Sequence, residues 1–188
     1  MIKALLAVLR KSWNVQSNAQ QSLIFAIIMY IKSEKRKATP VLLESFKKSS
    51  EAIEFRMFLG ELLSNMNPNA AKDTFKQVMA DPNQPTAIRA QSAYCLGFAD
   101  GHDIPNLLAA LILDPNQLPE VQAGAVAGLT AYYQHSPYIP NTQPGVLSAL
   151  SLAARSPNDV VSIRAIRTLG YLHSEEVLVP LLNRPVAF

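Results

Sequence analysis

Apolar residues recur every three or four positions through most of this chain, in blocks of about ten residues separated by short turns. The best-formed block is residues 88–97, and the apolar helix that follows begins near Pro105 and ends at Asp114. The alternation of apolar and polar residues that is typical of strands is hard to find. The pattern therefore predicts an all-α chain.

Five copies of one helical pattern can be aligned, each with an apolar first position, small residues near the fifth and eighth, and Leu at the ninth. The ninth positions, 36, 37, 33 and 40 residues apart, are Leu23, Leu59, Leu96, Leu129 and Leu169. The first and fifth positions include Val15, Ile88, Val121, Val161, Ala19, Ser92, Ala125 and Ala165. The second copy fits worst, because Glu51 stands where an apolar residue is expected. Small residues on each turn let a neighbouring helix approach closely, so the copies predict the second helices of five stacked helix pairs.

Prolines mark the expected starts of the first helices, because the fixed φ of the ring suits a first helical turn. These prolines are Pro40, Pro68, Pro105 and Pro144. Turns rich in Asp, Asn, Pro and Ser then follow at residues 81–83, 114–116 and 156–159. Proline ends one helix there, and the side-chain oxygens of Asp and Asn can accept from the first N–H groups of the next. The turns therefore predict where each layer divides into two helices.

These residues resemble HEAT-like repeats of the short kind common in bacterial proteins. The resemblance is carried by Leu96-Gly97, Ile104-Pro105-x-Leu107, Asp114, Val121-x-x-x-Ala125, residues 161–170 and Val177-x-x-Pro180-Leu181-Leu182. It covers roughly residues 15–183 and is stronger from residue 81 onward. It implies a right-handed α-solenoid of about five helix pairs in one domain, 1–188, with divergent basic layers over 1–80 and well-formed repeats over 81–183.

Two other helical repeat families fit less well. Tetratricopeptide repeats also contain Leu-Asp-Pro-Asn, as at residues 113–116, but the spacing from Gly97 to Asp114 does not match their motif. The Thr-Pro-Leu-His of ankyrin repeats is absent. HEAT-like repeats are therefore favoured.

In HEAT-like repeats, an Asp of the turn often pairs with an Arg early in the second helix. The resemblance implies such structural ion pairs between Asp81 and Arg89 and between Asp159 and Arg164. Gln122 interrupts the series in the layer between them.

The charge is distributed unevenly along the chain. The net charge is +3, but residues 1–48 carry +7 and residues 49–188 carry −4. The candidate basic patch consists of Lys32, Lys35, Arg36, Lys37, Lys47 and Lys48. It is either a solvated loop between helices or a surface for an anionic partner: nucleic acid, a membrane surface or an acidic protein.

The longest apolar run, residues 23–31, has 9 residues, about half of the ~20 that a membrane-spanning helix needs. It is interpreted as the buried second helix of the first layer, so no transmembrane segment is predicted. The chain also lacks a secretory cleavage site near its start. Its single cysteine, Cys95, is predicted to be a buried, inert thiol. These features agree with a cytoplasmic protein.

A search for catalytic and cofactor motifs finds little. The sequence has no glycine-rich phosphate loop, no His or Cys pairs at metal-ligand spacing, and no serine elbow. Three histidines, His102, His135 and His173, fall at similar places after the Leu of their layers, where favourable interaction with a helix dipole explains them better than a metal. We expect no catalytic residues, no metal and no cofactor.

A candidate groove can be derived from the seventh position of each second helix, opposite the packed face. These positions are Gln21, Met57, Tyr94, Ala127 and Arg167, and the residues one turn earlier are Ser17, Ile53, Ala90, Ala123 and Ile163. The stripe is partly apolar, weakly charged and rich in small residues. It therefore suits a peptide or a helix better than phosphates, and Met57, Tyr94 and Arg167 are predicted to contact the partner.

Two further surfaces are candidates for contacts. Tyr133 and Tyr138 lie in the long connection before Pro144, where they are predicted either to contact a partner or to fold back over the adjacent layer. A last helix, from Ser174 to about residue 182, would begin a sixth layer with no second helix to cover it. The predicted self-association or partner edge consists of Leu178, Leu182 and Phe188.

The sequence as a whole predicts a non-catalytic protein-binding scaffold or adaptor. One alternative is a nucleic-acid-binding protein similar to the HEAT-like DNA glycosylases, although the only Trp, Trp13, lies outside the repeats. Another is an accessory subunit similar to the HEAT-like phycobilin lyases.

Overall fold

The computed structural model of the chain describes residues 1–12, 17–135, 143–175 and 178–179. All regular structure in these residues is helical, which confirms the all-α prediction. The ten helices are α1 (Ile2–Ser12), α2 (Asn18–Ser33), α3 (Lys35–Lys47), α4 (Ile53–Met66), α5 (Pro68–Ala80), α6 (Thr86–Leu96), α7 (Ile104–Leu113), α8 (Pro119–His135), α9 (Pro144–Ala153) and α10 (Asp159–Tyr171).

The helices pack in pairs and in two rows. Each even-numbered helix contacts the odd-numbered helix before it, and α4, α6, α8 and α10 also contact one another in chain order. On the other side of the pairs, α1 contacts α3, α3 contacts α5, and α7 contacts α9. The buried apolar side chains form one cluster that extends from Ile2 to Leu169. Helices α4, α6, α8 and α10 therefore form a continuous row.

Three of the four prolines begin helices as predicted. Pro68 and Pro144 are the first residues of α5 and α9, and Pro105 is the second residue of α7. Pro40 is different, because it lies inside α3, which begins at Lys35. A single residue, Glu34, separates α2 from α3. The basic residues 32–37, for which a loop between helices was one of the two expectations, therefore belong to the adjoining ends of two helices.

The second copy of the repeat is displaced by one helical turn from the predicted alignment. The equivalent opening residues, 33 positions apart and fully buried, are Phe55, Ile88 and Val121, and the equivalent closing residues are Leu63, Leu96 and Leu129. Leu59 is also fully buried, which is why the pattern of apolar residues did not distinguish it from Leu63. Glu51 lies in the turn before α4 and does not occupy an opening position.

The first copy is not buried as predicted. Of the predicted buried run, Leu23, Phe25 and Met29 are 50%, 65% and 49% exposed, and only Ile27 and Ile31 are buried. The main neighbours of α2 are α1 and α3, on one side only. A helix that has a neighbour on one side leaves its other side in contact with solvent, whatever residues that side carries.

One buried arginine joins two successive layers. The Arg56 side chain is almost completely inaccessible and donates from Nε to the Phe46 carbonyl oxygen at 2.7 Å. Its Nη2 donates to Oε1 of Gln84, in the next turn, at 2.6 Å. The guanidinium thus satisfies a carbonyl at the end of α3 and connects α4 to the turn between α5 and α6.

The same arrangement recurs one layer later. Arg89 donates from Nε to the Met79 carbonyl oxygen at 3.1 Å and from Nη2 to Oε1 of Gln117 at 2.7 Å. In the following layer, Gln122 donates from Nε2 to the Ile112 carbonyl oxygen at 3.1 Å. Gln122 therefore donates to the end of the first helix of its layer, as Arg56 and Arg89 do in theirs. Unlike these arginines, it does not bond to a residue of the next turn.

The ion pairs implied by the resemblance are not formed. The Asp81 carboxylate accepts from the turn residues that follow it, and the Arg89 guanidinium bonds as described above. Arg164 donates from Nη1 to the Ala123 carbonyl oxygen on α8 at 3.1 Å, and not to Asp159. In both cases a carbonyl or amide oxygen of a neighbouring helix or turn lies within reach of the long guanidinium side chain.

The first helix pair is joined to the rest by an ion pair. Arg10 donates to the Glu51 carboxylate from Nε at 2.7 Å and from Nη2 at 2.5 Å. Glu51, Gln84 and Gln117 are 33 residues apart, and each accepts hydrogen bonds from an arginine side chain. Glu51 therefore occupies the equivalent position in its layer.

Candidate partner-binding groove

The floor of the candidate groove is formed where α6 and α8 approach each other closely. A Cβ atom added at Gly124 would lie 2.4 Å from the Ala90 carbonyl oxygen, and one added at Gly128 would lie 2.4 Å from the Ala93 carbonyl oxygen. Only glycine fits at such distances, because any side chain would overlap the backbone of α6. The two helices therefore present a low floor of backbone and small side chains.

A depression of about 600 Å³ lies over this floor. Its lining includes Met57 from α4, Ala90 and Tyr94 from α6, and Ala123 and Ala127 from α8. These five belong to the stripe derived from the sequence. The packing of α4, α6 and α8 in chain order brings them together, and their role in binding stays a prediction.

A second depression, of about 250 Å³, adjoins the first and shares Tyr94 and Ala127 with it. It contains Arg167, the third predicted groove residue, together with Phe98 and Arg164. The rings of Tyr94 and Phe98 pack edge to face, 5.2 Å apart. Burial raises the pKa of the Tyr94 hydroxyl above its ordinary value.

Charged side chains line parts of the groove, which we define as the two adjoining depressions. Glu61 and Glu120 line the larger depression, Arg167 lines the smaller one, and Arg164 lines both. The sequence-based stripe omitted Glu61, Glu120, Phe98 and Arg164. Helical spacing was a usable signal for three of them, since residues three or four apart share a helix face: Glu61 follows Met57 by four, Phe98 follows Tyr94 by four, and Arg164 precedes Arg167 by three.

Other predicted members of the stripe lie elsewhere. Ser17 and Gln21 are exposed on α2, and Ile53 and Ile163 are exposed on α4 and α10. None of these four lines either depression. The groove therefore begins at α4, and the first helix pair does not contribute to it.

Tyr133 is buried, which agrees with the predicted alternative that it folds back over the adjacent layer and disagrees with partner contact. It is 7% exposed, its ring packs edge to face on Tyr132 at 5.5 Å, and burial raises the pKa of its hydroxyl. Helix α8 extends to His135, which places Tyr133 on a helix and not in a loop. Tyr138 lies outside the described residues.

The predicted basic patch is divided between the two ends of α3. Lys32, Lys35, Arg36 and Lys37 are exposed where α2 meets α3. Lys47 and Lys48 are exposed at the other end of that helix, about 18 Å away along its axis. Glu34 lies 2.7 Å from Lys37 Nζ and raises the pKa of that lysine.

The predicted C-terminal edge is described only in part. Leu178 is half-buried against the core, and Val179 is 53% exposed. Leu182 and Phe188 lie outside the described residues. Self-association through this edge stays a prediction.

Cys95 is fully buried, as predicted, and burial raises the pKa of its thiol to about 12. Residues 1–12, 17–135, 143–175 and 178–179 contain no cluster of three or more His, Cys, Asp or Glu side chains that could hold a metal ion. Within the same ranges, every helix is too short or too polar to cross a bilayer.

The chain matches no family model, no curated protein and no solved structure. The properties of the groove follow from its own residues: a floor of small side chains, Met57 and Tyr94 beside it, and charged side chains of both signs in its lining.

Proposed function

We propose that this chain is a HEAT-like α-solenoid that acts as a non-catalytic protein-binding scaffold or adaptor. The repeat architecture is supported by the contacts of α4, α6, α8 and α10 in chain order and by the 33-residue recurrence of the Arg56 and Arg89 hydrogen bonds. In such arrays each layer contacts its neighbours, and the shared face of the second helices forms an extended binding surface.

The lining of the groove carries the proposal. Ala90, Ala123 and Ala127 leave room for another backbone to approach, and Met57 and Tyr94 offer adaptable and aromatic contact area beside them. A phosphate backbone needs a row of cations, whereas this floor has none. A helical or extended peptide segment with apolar anchors fits these surroundings better.

The charged residues of the groove define the expected partner further. Arg164 uses Nη1 for the Ala123 carbonyl oxygen, which leaves its other N–H groups available, and Arg167 makes no hydrogen bond or ion pair within the described residues. A guanidinium pair three residues apart on one helix suits a carboxylate of the partner. Glu61 and Glu120 suit a basic residue. The expected partner is a segment that combines apolar anchors with an acidic and a basic residue.

A random peptide library displayed on phage tests the proposal directly. The full chain is immobilised, and peptides enriched on it are synthesised and titrated by fluorescence anisotropy. We expect enriched peptides to combine aliphatic or aromatic anchors with an acidic residue. The substitution Ala127→Glu fills the groove and places a carboxylate beside Arg164 and Arg167, where it competes with the acidic residue of the peptide. It should weaken peptide binding at least about tenfold, which is a loss of about 1.4 kcal/mol.

Ala110→Glu is the matched control, since Ala110 is an exposed alanine on α7, in the other row of helices. It should leave peptide binding unchanged. Enrichment of no peptide, or equal binding by the two variants, would contradict the proposed groove. A shift of a duplex DNA probe that Ala127→Glu abolishes would favour a nucleic-acid function in its place.

A further inference from the structure

The outer face of α2 exposes an unusual set of apolar side chains. Phe25 is 65% exposed and Met29 is 49% exposed, and their spacing of four residues places them on one stripe of the helix. Lys32 continues the same stripe. The stripe is thus apolar for two turns and ends in a cation.

All acidic groups of the first 51 residues are already paired. The ion pairs are Glu34 with Lys37 at 2.7 Å, Glu44 with Lys3 at 3.7 Å and Glu51 with Arg10 at 2.5 Å. The exposed cations of this region that have no ion-pair partner among the described residues are Lys11, Lys32, Lys35, Arg36, Lys47 and Lys48. The surface therefore presents positive charge that no local carboxylate neutralises.

A partner of this surface must match two of its properties, the unpaired positive charges and the exposed apolar side chains. A nucleic-acid duplex would match the cations, but its bases are paired and stacked inside and leave an exposed phenylalanine and methionine on a helix stripe without an apolar partner. A bilayer containing anionic lipids matches both, because its headgroups attract Lys and Arg and its acyl chains accept apolar side chains. No helix of the described residues could span that bilayer, so the contact would be at its surface.

We propose that the surface formed by α1, α2 and the two ends of α3 docks onto an anionic lipid membrane. Helix α2 lies in the plane of the interface, and Phe25 and Met29 enter the boundary between headgroups and acyl chains. Lys32, Lys35 and Arg36 extend toward the headgroups, since their long side chains allow the charge to remain in the polar layer. This inference is independent of the groove, which begins at α4 on other residues.

Co-sedimentation of the full chain with lipid vesicles tests the inference. One set of vesicles is pure phosphatidylcholine, and the other contains about 30% phosphatidylserine. We expect at least about tenfold tighter binding to the second set and weaker binding as salt is raised, because several cations contribute near the surface. The substitutions Phe25→Glu and Met29→Glu together should reduce this binding at least about tenfold, since two apolar contacts are replaced by like-charged repulsion.

The control variant is Leu152→Glu, which charges a leucine of similar exposure, 55%, on α9. It should bind vesicles as the unsubstituted chain does. A second variant, Lys32→Gln with Lys35→Gln and Arg36→Gln, removes charge and keeps the apolar stripe. It should also lose at least about tenfold in binding to the anionic vesicles. All of these residues are exposed, so unchanged far-ultraviolet circular dichroism is expected for each variant.

Several results would overturn the inference. These are binding that is equal for the two vesicle sets, binding that Phe25→Glu with Met29→Glu leaves intact, or no vesicle binding at all. A duplex DNA probe bound through the same lysines in the absence of vesicle binding would assign the surface to nucleic acid. A dimer in light scattering that Phe25→Glu converts to monomer, again without vesicle binding, would assign it to a second copy of the chain.

Discussion

Helices α2 and α8 have nearly the same length, 16 and 17 residues, but they bury their apolar residues very differently. Ten residues of α8 are buried, whereas α2 buries only Ile27 and Ile31. Helix α8 is surrounded by α6, α7 and α10, and α2 has α1 and α3 as its main neighbours. The comparison shows that burial in this chain depends on having a layer on each side. The apolar content of a helix does not determine it.

The largest expected effect comes from truncating a phenylalanine that is covered on all sides, compared with an exposed phenylalanine of α2. Phe75 on α5 is fully buried and packs edge to face on Phe46 at 5.5 Å, so Phe75→Ala should lower the free energy of unfolding by about 3–5 kcal/mol. Phe25→Ala on α2 should change it by less than about 0.5 kcal/mol. Urea denaturation followed by circular dichroism measures both. Similar losses for the two variants would show that α2 is covered in solution.

The same substitution of glycine by alanine should act with opposite signs at two sites. A Cβ atom at Gly97 would lie 2.0 Å from the Gly128 carbonyl oxygen, so Gly97→Ala should destabilise the chain by about 1–3 kcal/mol. Gly170 in α10 has no atom within 4 Å of such a Cβ atom, and Gly170→Ala should stabilise it by up to about 1 kcal/mol. Thermal melting distinguishes the two outcomes. A neutral Gly97→Ala would mean that α6 and α8 are not in close contact.

Arg56 provides a test of the bonds between layers. Arg56→Met keeps much of the side chain's length but leaves the Phe46 carbonyl and the Gln84 amide without their donor, at a cost of about 1–3 kcal/mol. Arg36→Met, at an exposed arginine of α3, should change stability by less than about 0.5 kcal/mol. Chemical denaturation of both variants measures the difference, and equal values would argue against the inter-layer bond.

The smallest effect is expected where α1 meets the rest of the chain. Arg10→Gln should weaken the contact with Glu51 by about 1 kcal/mol, and amides of α1 and α2 should exchange hydrogen faster while those of α6 do not. Arg10→Gln combined with Glu51→Gln should recover part of the loss, because the buried carboxylate is then replaced by the residue found at positions 84 and 117. Faster exchange throughout the chain would show that the first pair is not a separate unit of opening.

Local features of the fold could be predicted from the sequence where they depend on nearby residues. Prolines such as Pro68 and Pro144 begin helices for reasons of their own geometry, and Leu96 and Leu129 are buried as their pattern indicated. The sequence alignment placed the second copy one helical turn too early because Leu59 and Leu63, four residues apart, are both buried. Whether Leu23 is covered depends on a neighbouring helix that the local pattern does not specify.

The groove was predicted in part for the same reason. Position within a helix identified Met57, Tyr94 and Arg167 as members of one stripe, but the other charged residues of the groove, Glu61, Glu120 and Arg164, lie outside that stripe. Tyr133 was misplaced because nothing in the sequence fixed the end of α8 at His135, two residues beyond it. The arginine contacts were also missed, since Gln84 lies 28 residues after Arg56 and no local rule connects them.

That separation of 28 residues has a consequence for synthesis on the ribosome. Arg56 emerges well before Gln84, and Arg89 well before Gln117, so each guanidinium lacks one acceptor until the following turn has been translated. We expect the nascent chain to gain resistance to protease in steps. Each helix pair should become resistant only after the connecting turn within the next pair has been translated. Arrested chains ending shortly before and shortly after residue 84 should differ in this resistance, once both have cleared the exit tunnel on a common linker.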